Sequence, residues 1–142
     1  MGRFEFLEDV ALADCAVEIR GGDRGDLFET AAAALAEVMV DPATLSLTTD
    51  RDLDLDAGTL DLLLYDWLSE LIFLKDRDRE VFPRCDVRVD GDGPFRLTAH
   101  LHGGAIDPAR TSLRADPKAV TFHLLAVERT HDGWTARVVI DI

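Results

Sequence analysis

The sequence predicts an α+β domain in which two helices pack on a mainly antiparallel β-sheet. Two observations carry this fold class: a helical repeat of apolar residues, clearest over residues 60–72, and a return to period-two alternation after residue 80. The chain has 142 residues, of which 47% are hydrophobic, so it can bury one core without disulfides or a structural metal. It contains no repeat, linker or composition break, and we expect residues 1–142 to form a single domain.

The N-terminal part is predicted to contain two short strands and a helix. Residues 1–8 and 16–20 alternate in the manner of strands. A helix is expected over residues 26–40, because apolar side chains repeat on one face and an alanine run favours helix. Asp23 or Asp26 can cap its start.

The middle of the chain contains the clearest element. Residues 46–55 alternate and predict one strand or two short ones. Over residues 60–72 the apolar residues lie three or four apart, which places them on one face of a helix. Burying that stripe, which includes Trp67, could contribute on the order of 10 kcal/mol gross. We therefore expect the stripe to be core. The opposite face, with Asp61 and Asp66, is expected to face water or to bind something.

The C-terminal part is predicted to consist of two hairpins separated by an irregular segment. The expected strands are 81–89 and 95–102 for the first hairpin, and 120–129 and 134–140 for the second. Glycine-containing turns at 90–93 and 131–133 join the strands of each hairpin. Residues 103–115 show no period and are expected to be irregular.

The charge balance points to cationic partners. Fifteen Lys and Arg residues against 28 Asp and Glu residues give a formal net charge of −13. This argues against a protein that follows nucleic-acid phosphates with clustered basic side chains, and the same sign disfavours anionic membranes. The negative charge instead favours metal ions or the basic surface of another protein as partners. No apolar run approaches the roughly 18 residues of a membrane span, and no signal peptide is recognisable, so we expect a cytoplasmic protein.

Motifs of common catalytic centres are missing from the sequence. There is no Ser-His-Asp order, no phosphate-cradling glycine loop and no H-E-x-x-H. Cys15 and Cys85 are far apart, so we interpret them as two half-buried thiols in a reducing compartment. His100 and His102 would share one face of a strand and could bind a transition metal. No third soft ligand lies nearby in sequence, and structural or solvent-facing histidines are the alternative.

Two acidic residues and one lysine occupy unusual positions. Asp14 interrupts an apolar stretch, where a charge is costly unless it is paired or bound to a metal. Asp141 directly precedes Ile142, the last residue of the sequence. If this segment is held in a sheet, the two aspartates and the α-carboxylate of Ile142 offer hard oxygen ligands suited to Ca²⁺ or Mg²⁺. Lys118 is one of two lysines in a chain whose other basic residues are arginines. A site that requires a compact ammonium would explain a lysine at this position, and chance explains it almost as well.

Five segments, in order and at the right spacings, make the chain resemble the archease family over nearly its whole length. The segments are 4–8 (FEFLE), 28–35 (FETAAAAL), 63–71 (LLYDWLSEL), 118–123 (KAVTFH) and 137–142 (RVVIDI). The first leads into Ala13 and Asp14, and the fourth is the most specific.

The resemblance implies a cytosolic accessory protein and not an enzyme. Archeases assist the GTP-dependent RtcB-type RNA ligase, which joins RNA ends in tRNA splicing and RNA repair, by promoting guanylylation of the ligase and its multiple turnover. They carry a divalent cation, expected here to be calcium, at positions that match Asp14, Asp141 and the terminal carboxylate of Ile142. Lys118 matches the lysine associated with activity. Neither sequence-specific nucleic-acid binding nor membrane binding is expected.

The chain departs from the family pattern at several polar positions. Ala11 stands where the family has a histidine, and Leu12 where it has a threonine. Gly104 takes the place of an acid, and Thr111 that of a histidine. Three hypotheses therefore stay open: a ligase activator, a divergent archease-like binding module that no longer activates a ligase, and an enzyme that uses Lys118 and the aspartates as acid and base.

Overall fold

The computed structural model describes residues 2–7 and 14–142, and in that part of the chain it contains two helices and seven strands. The strands are β1 (Arg3–Leu7), β2 (Cys15–Gly21), β3 (Thr49–Ala57), β4 (Glu80–Asp90), β5 (Phe95–Ala105), β6 (Ala119–Thr130) and β7 (Gly133–Asp141). The helices are α1 (Arg24–Met39) and α2 (Leu60–Asp78), and a short 3₁₀ turn covers Pro42–Thr44.

The strands divide into two antiparallel sheets. One has the order β1-β2-β7-β6 and the other the order β3-β5-β4. Helix α1 packs on β4 and β2, and α2 packs on β6, β3 and β4, so both helices contact both sheets. The predicted α+β class is confirmed, with two sheets in place of the single sheet that the sequence suggested. The core lies between the sheets and is filled from both helices.

Helix α1 is buried on more than one side, and its composition explains how. Phe28 and Leu35 are almost fully buried, and so are the small residues Ala31, Ala32 and Ala34. Small side chains let neighbouring backbones approach closely, which a helix in contact with two sheets requires. Of the two predicted caps, Asp23 is the one used, since its carboxylate accepts the N–H of Asp26 at 2.7 Å.

Helix α2 confirms the predicted core stripe and extends it. Thr59 caps its start, accepting the N–H of Leu62 at 3.2 Å. Trp67 is fully buried, and its indole N–H donates to the carbonyl oxygen of Phe28 at 2.9 Å, which ties the two helices together. The helix continues to Asp78, beyond the predicted range. No helix of the described residues is long and apolar enough to cross a membrane.

Each helix also provides a carboxylate that accepts a backbone N–H of an edge strand. Glu29 of α1 accepts the N–H of Val87 on β4 at 2.8 Å, and the pKa of its carboxyl is raised, chiefly by burial. Asp61 of α2 accepts the N–H of Val127 on β6 at 2.9 Å. An open sheet edge offers unpaired donors, and here a carboxylate on each helix occupies one of them. Asp61, on the acidic face of α2, therefore has a structural role.

Two predicted boundaries were wrong. Strand β3 begins at Thr49, not at residue 46, and β5 runs through Gly103 and Gly104 to Ala105, in a region expected to be irregular. A Cβ at Gly103 would lie 1.9 Å from the carbonyl oxygen of Val81, so only glycine allows this strand contact. Glycine weakens the strand signal in a sequence while permitting the close approach.

Candidate functional site

The predicted metal ligands and Lys118 come together at one end of the four-stranded sheet. Cys15 of β2 pairs with Ile140 of β7, and Ala119 of β6 pairs with Asp141. Asp14 directly precedes β2, whose first residue pairs with the neighbour of Asp141 in β7. We call Asp14, Asp141, Ile142 and Lys118 the acidic sheet end.

The side chain of Asp141 belongs to the face of the sheet opposite the core. Ile140 is buried in the core, and because side chains alternate along a strand, Asp141 points to the other face. Both aspartates are half-buried, Ile142 is 40% exposed and Lys118 is exposed.

Within residues 2–7 and 14–142, the two aspartates have no partner that would balance their charge. No hydrogen bond or ion pair joins either carboxylate to another residue in the described part of the chain. A bound cation would balance these carboxylates, whose oxygens are the ligands that calcium and magnesium prefer.

The side chains alone do not complete a metal centre. Among residues 2–7 and 14–142, no three side chains of His, Cys, Asp and Glu form a group that could hold a metal ion. The third predicted ligand is the main-chain carboxylate of Ile142, which is not a side chain. Calcium takes roughly 6–8 oxygen ligands, so a cation here would also keep water molecules. The metal ligands Asp14, Asp141 and Ile142 therefore stay a prediction.

The predicted pair of histidines lies on the outer face of the three-stranded sheet. His100 and His102 share that face as expected, and two aspartates of β3 meet them. His100 lies 2.9 Å from Asp52 through Nδ1 and 3.1 Å from Asp50 through Nε2, and His102 Nδ1 lies 2.8 Å from Asp50. The hydrogen bond to Asp52 raises the pKa of His100, and that to His102 lowers the pKa of Asp50. We call these four residues the His–Asp cluster, and three of its four ring nitrogens already have carboxylate partners.

The cysteines do not form a reactive centre. Both are free and half-buried, as predicted. Burial raises the pKa of the Cys85 thiol to about 12 and also raises that of Cys15. The thiolate is the reactive form of cysteine, so neither residue is activated as a nucleophile.

A wide cavity of about 1030 Å³ opens on the four-stranded sheet. Its charged lining residues are Arg3, Arg20, Arg137, His131, Glu18, Glu128 and Asp132. Glu18 binds Arg20 at 2.6 Å and Arg137 at 3.3 Å, so part of this charge is already paired within the protein. Three arginines face three acids, and the cavity has no clear preference for a ligand of either sign.

Sequence reasoning missed an exposed aromatic surface beside β6. The pairing of β6 with β7 is interrupted between Thr121 and Ala126, and we call residues 122–125 the β6 bulge. Phe122 is 62% exposed and stacks on Tyr65 of α2, with ring centroids 4.3 Å apart. Leu124 has a φ of 57°, a conformation that a bulky residue rarely adopts. The two adjacent leucines at 124 and 125 break the alternation and could have signalled the bulge.

The structure describes two of the four positions at which the chain departs from the archease pattern. Ala11 and Leu12 lie outside the described residues. A Cβ at Gly104 would lie 1.8 Å from the carbonyl oxygen of Ser46, so this backbone accepts no acid there. Thr111 is buried and its hydroxyl accepts the N–H of Asp107 at 2.9 Å, which stabilises a local turn. Gly104 and Thr111 thus serve local structure.

Comparison with known proteins assigns the chain to one family over nearly its full length. The model of the archease protein family matches residues 4–142. Protein archease of Methanosarcina barkeri is 36% identical over 99% of this chain and 96% of its own length, and that of Archaeoglobus fulgidus is 33% identical over 99% of each.

Solved structures agree with this assignment. The solution structure of protein 1598 from Methanobacterium thermoautotrophicum has a TM-score of 0.80 and 32% identity, and covers 98% of each chain. A Thermotoga maritima protein described as an archease and possible chaperone has a TM-score of 0.63 at 22% identity over 93% of each chain, which supports the fold alone. The protein described here belongs to the archease family.

Proposed function

We propose that this protein is a non-catalytic activator of a GTP-dependent RtcB-type RNA ligase that acts in tRNA splicing or RNA repair. In this proposal it docks on the ligase, promotes its guanylylation and sustains multiple turnover. One observation carries the proposal: the registers of β2, β6 and β7 bring the four family-matched residues of the acidic sheet end to the same end of one sheet. These residues are far apart in sequence, and only the fold unites them.

The proposed activator carries a divalent cation, with calcium as the first choice. Asp14, Asp141 and the carboxylate of Ile142 would hold it with oxygen ligands, which suits a hard cation. The absence of a balancing group on either aspartate within the described residues supports this assignment. The exposed ammonium of Lys118 would then stand beside the cation, available to an anionic group of the partner or its nucleotide.

The net charge and the β6 bulge support a protein partner. A formal charge of −13 favours association with a basic surface, at a rate that falls as salt rises. Phe122 and Tyr65 add an exposed aromatic stack next to the same strand that begins at the acidic sheet end. Aromatic side chains are enriched where proteins bind each other.

A multiple-turnover RNA-joining assay tests the proposal. The cognate ligase is supplied with GTP and a divalent metal, with and without this protein. Wild type should raise the number of turnovers, and Lys118→Ala should reduce that stimulation at least about tenfold, because a charge near the reacting groups is removed. Arg84→Ala is the matched control, since it removes an exposed cation from the other sheet. If wild type fails to stimulate the cognate ligase, the activator proposal is wrong.

The divergent binding module is the second candidate. Ala11, in place of a histidine, favours it, because a polar side chain has been lost three positions before Asp14 in the sequence. A binding module would show calcium binding and an unchanged fold without any effect on ligase turnover. Restoring the histidine by Ala11→His should then recover stimulation if this loss is the cause.

A further inference from the structure

The second lysine of the chain is buried, unlike Lys118. Lys75 lies in the last turn of α2, and only 6% of the residue is exposed. A buried ammonium is costly unless its donors are satisfied, and lysine is among the residues that are least often buried. Its retention inside the protein therefore calls for a reason.

The ammonium of Lys75 has three oxygen neighbours. Its Nζ donates to the carbonyl oxygen of Pro117 at 3.1 Å and to the carboxylate of Asp116, and it forms an ion pair with Asp76 at 2.7 Å. Burial alone would lower the pKa of Lys75, but its interactions with the carboxylates of Asp116 and Asp76 outweigh burial, and the pKa is raised. The hydrogen bond from Lys75 also lowers the pKa of Asp116. The residue is therefore a fixed cation, and two of its three contacts reach the segment before Lys118.

The peptide group that joins Pro117 to Lys118 is held from both sides. Its carbonyl oxygen accepts from Lys75 Nζ at 3.1 Å, and its N–H donates to the carbonyl oxygen of Asp141 at 2.7 Å. Because the peptide group is planar, these two bonds together set its orientation. They fix the main chain from which the Lys118 side chain leaves, next to a predicted metal ligand.

We propose that Lys75 is a positioning residue: by binding Asp116 and the carbonyl of Pro117, it holds Lys118 in place beside Asp141. This inference rests on the proposed function, in which Lys118 acts at that end. An apolar residue at position 75 would fill the space but leave the Pro117 carbonyl without its donor. Arginine would keep the charge, but its planar fork cannot direct three donors at three acceptors around one atom.

The first test is a double-mutant cycle on ligase stimulation. Lys75→Met should reduce the stimulation roughly three- to tenfold, and no more than Lys118→Ala does, because misplaced groups lose their effect steeply with distance. In the Lys118→Ala background, Lys75→Met should cause no further loss. Asp76→Asn is the matched control, since it alters the same lysine but leaves both contacts to residues 116 and 117. Equal losses in both backgrounds would overturn the inference.

The second test does not depend on a ligase, so it separates failure of this inference from failure of the proposed function. Amide hydrogen exchange of Lys118 is followed by NMR in wild type and in Lys75→Met. The inference predicts exchange at least about tenfold faster in the variant, with the amides of α1 unchanged. Asp116→Ala, which removes an exposed group, should give a smaller change in the same direction and serves if Lys75→Met does not fold. Unchanged exchange of the Lys118 amide in a folded variant would show that Lys75 does not hold this segment.

Discussion

The acidic sheet end and the His–Asp cluster are both built from aspartates on a sheet surface, yet they differ in how their charge is balanced. In the His–Asp cluster each aspartate faces a histidine across the strands, at 2.8 to 3.1 Å. At the acidic sheet end Asp14 and Asp141 have no such partner within the described residues. A cluster whose carboxylates are already hydrogen-bonded has little need of a ligand, whereas carboxylates without a partner gain from a cation. This difference makes the acidic sheet end the better candidate.

The largest expected effect is on the hydrophobic core, which supports both sheets. Trp67→Ala should destabilise the protein by roughly 3–5 kcal/mol, because it empties a large buried site between the helices. The loss of the indole bond to the Phe28 carbonyl adds to this cost. Chemical denaturation of wild type and variant measures the difference. A loss below about 1 kcal/mol, typical of a surface position, would show that Trp67 is not part of the core.

The next prediction separates the two regions by calcium affinity. Asp141→Asn should weaken calcium binding by about tenfold or more, because it removes one of the few predicted ligands that carry a charge. Asp52→Asn in the His–Asp cluster should leave the affinity unchanged. Isothermal titration calorimetry on the two variants makes the comparison, and equal effects of both substitutions would remove the distinction between the two regions.

A smaller effect is expected from the main-chain ligand. Extending the chain beyond Ile142 turns its carboxylate into a neutral amide, which can still offer a carbonyl oxygen to calcium. The affinity should therefore fall, but by less than in Asp141→Asn. The same titration on a protein with two added glycines gives the answer. If the affinity stays at the wild-type value, the carboxylate of Ile142 does not bind the calcium ion.

The smallest effect is a pH dependence at the His–Asp cluster. The pKa of His100 is raised in the folded state, so its contribution to stability is present below its unfolded pKa of about 6.5 and is lost as pH rises through the folded value. The pKa of Asp50 is lowered, so its contribution is lost only in acid, as pH falls through its folded value. The stability difference between wild type and His100→Gln should therefore shrink from about pH 6 to about pH 8, as urea unfolding would measure. A difference that grows over this range would contradict the assignment.

Much of the fold could be predicted from the sequence because local patterns determine it. The stripe around Trp67 and the alternation of the hairpins follow from periodicity alone, and both are present in the structure. The division into two sheets could not be read in this way, since alternation does not say which strands pair. Glycines 103 and 104 hid the end of β5, because their value lies in a close backbone approach that only the folded chain reveals.

The candidate site was harder to predict than the fold. Asp14 and Asp141 stood out because a charge interrupted or followed apolar residues, but their juxtaposition depends on the β2–β7 register, which no local pattern contains. The family resemblance supplied it. Lys75 was noticed only as the second lysine, because its role depends on contacts with residues some forty positions away.

The proposed calcium site can be tested by a crystal structure of the protein grown with calcium, with anomalous diffraction collected at long wavelength. We expect one anomalous peak at the acidic sheet end, with oxygens of Asp14, Asp141 and Ile142 at roughly 2.3–2.6 Å. A peak at the His–Asp cluster instead, or none at the acidic sheet end in crystals that contain calcium, would contradict it.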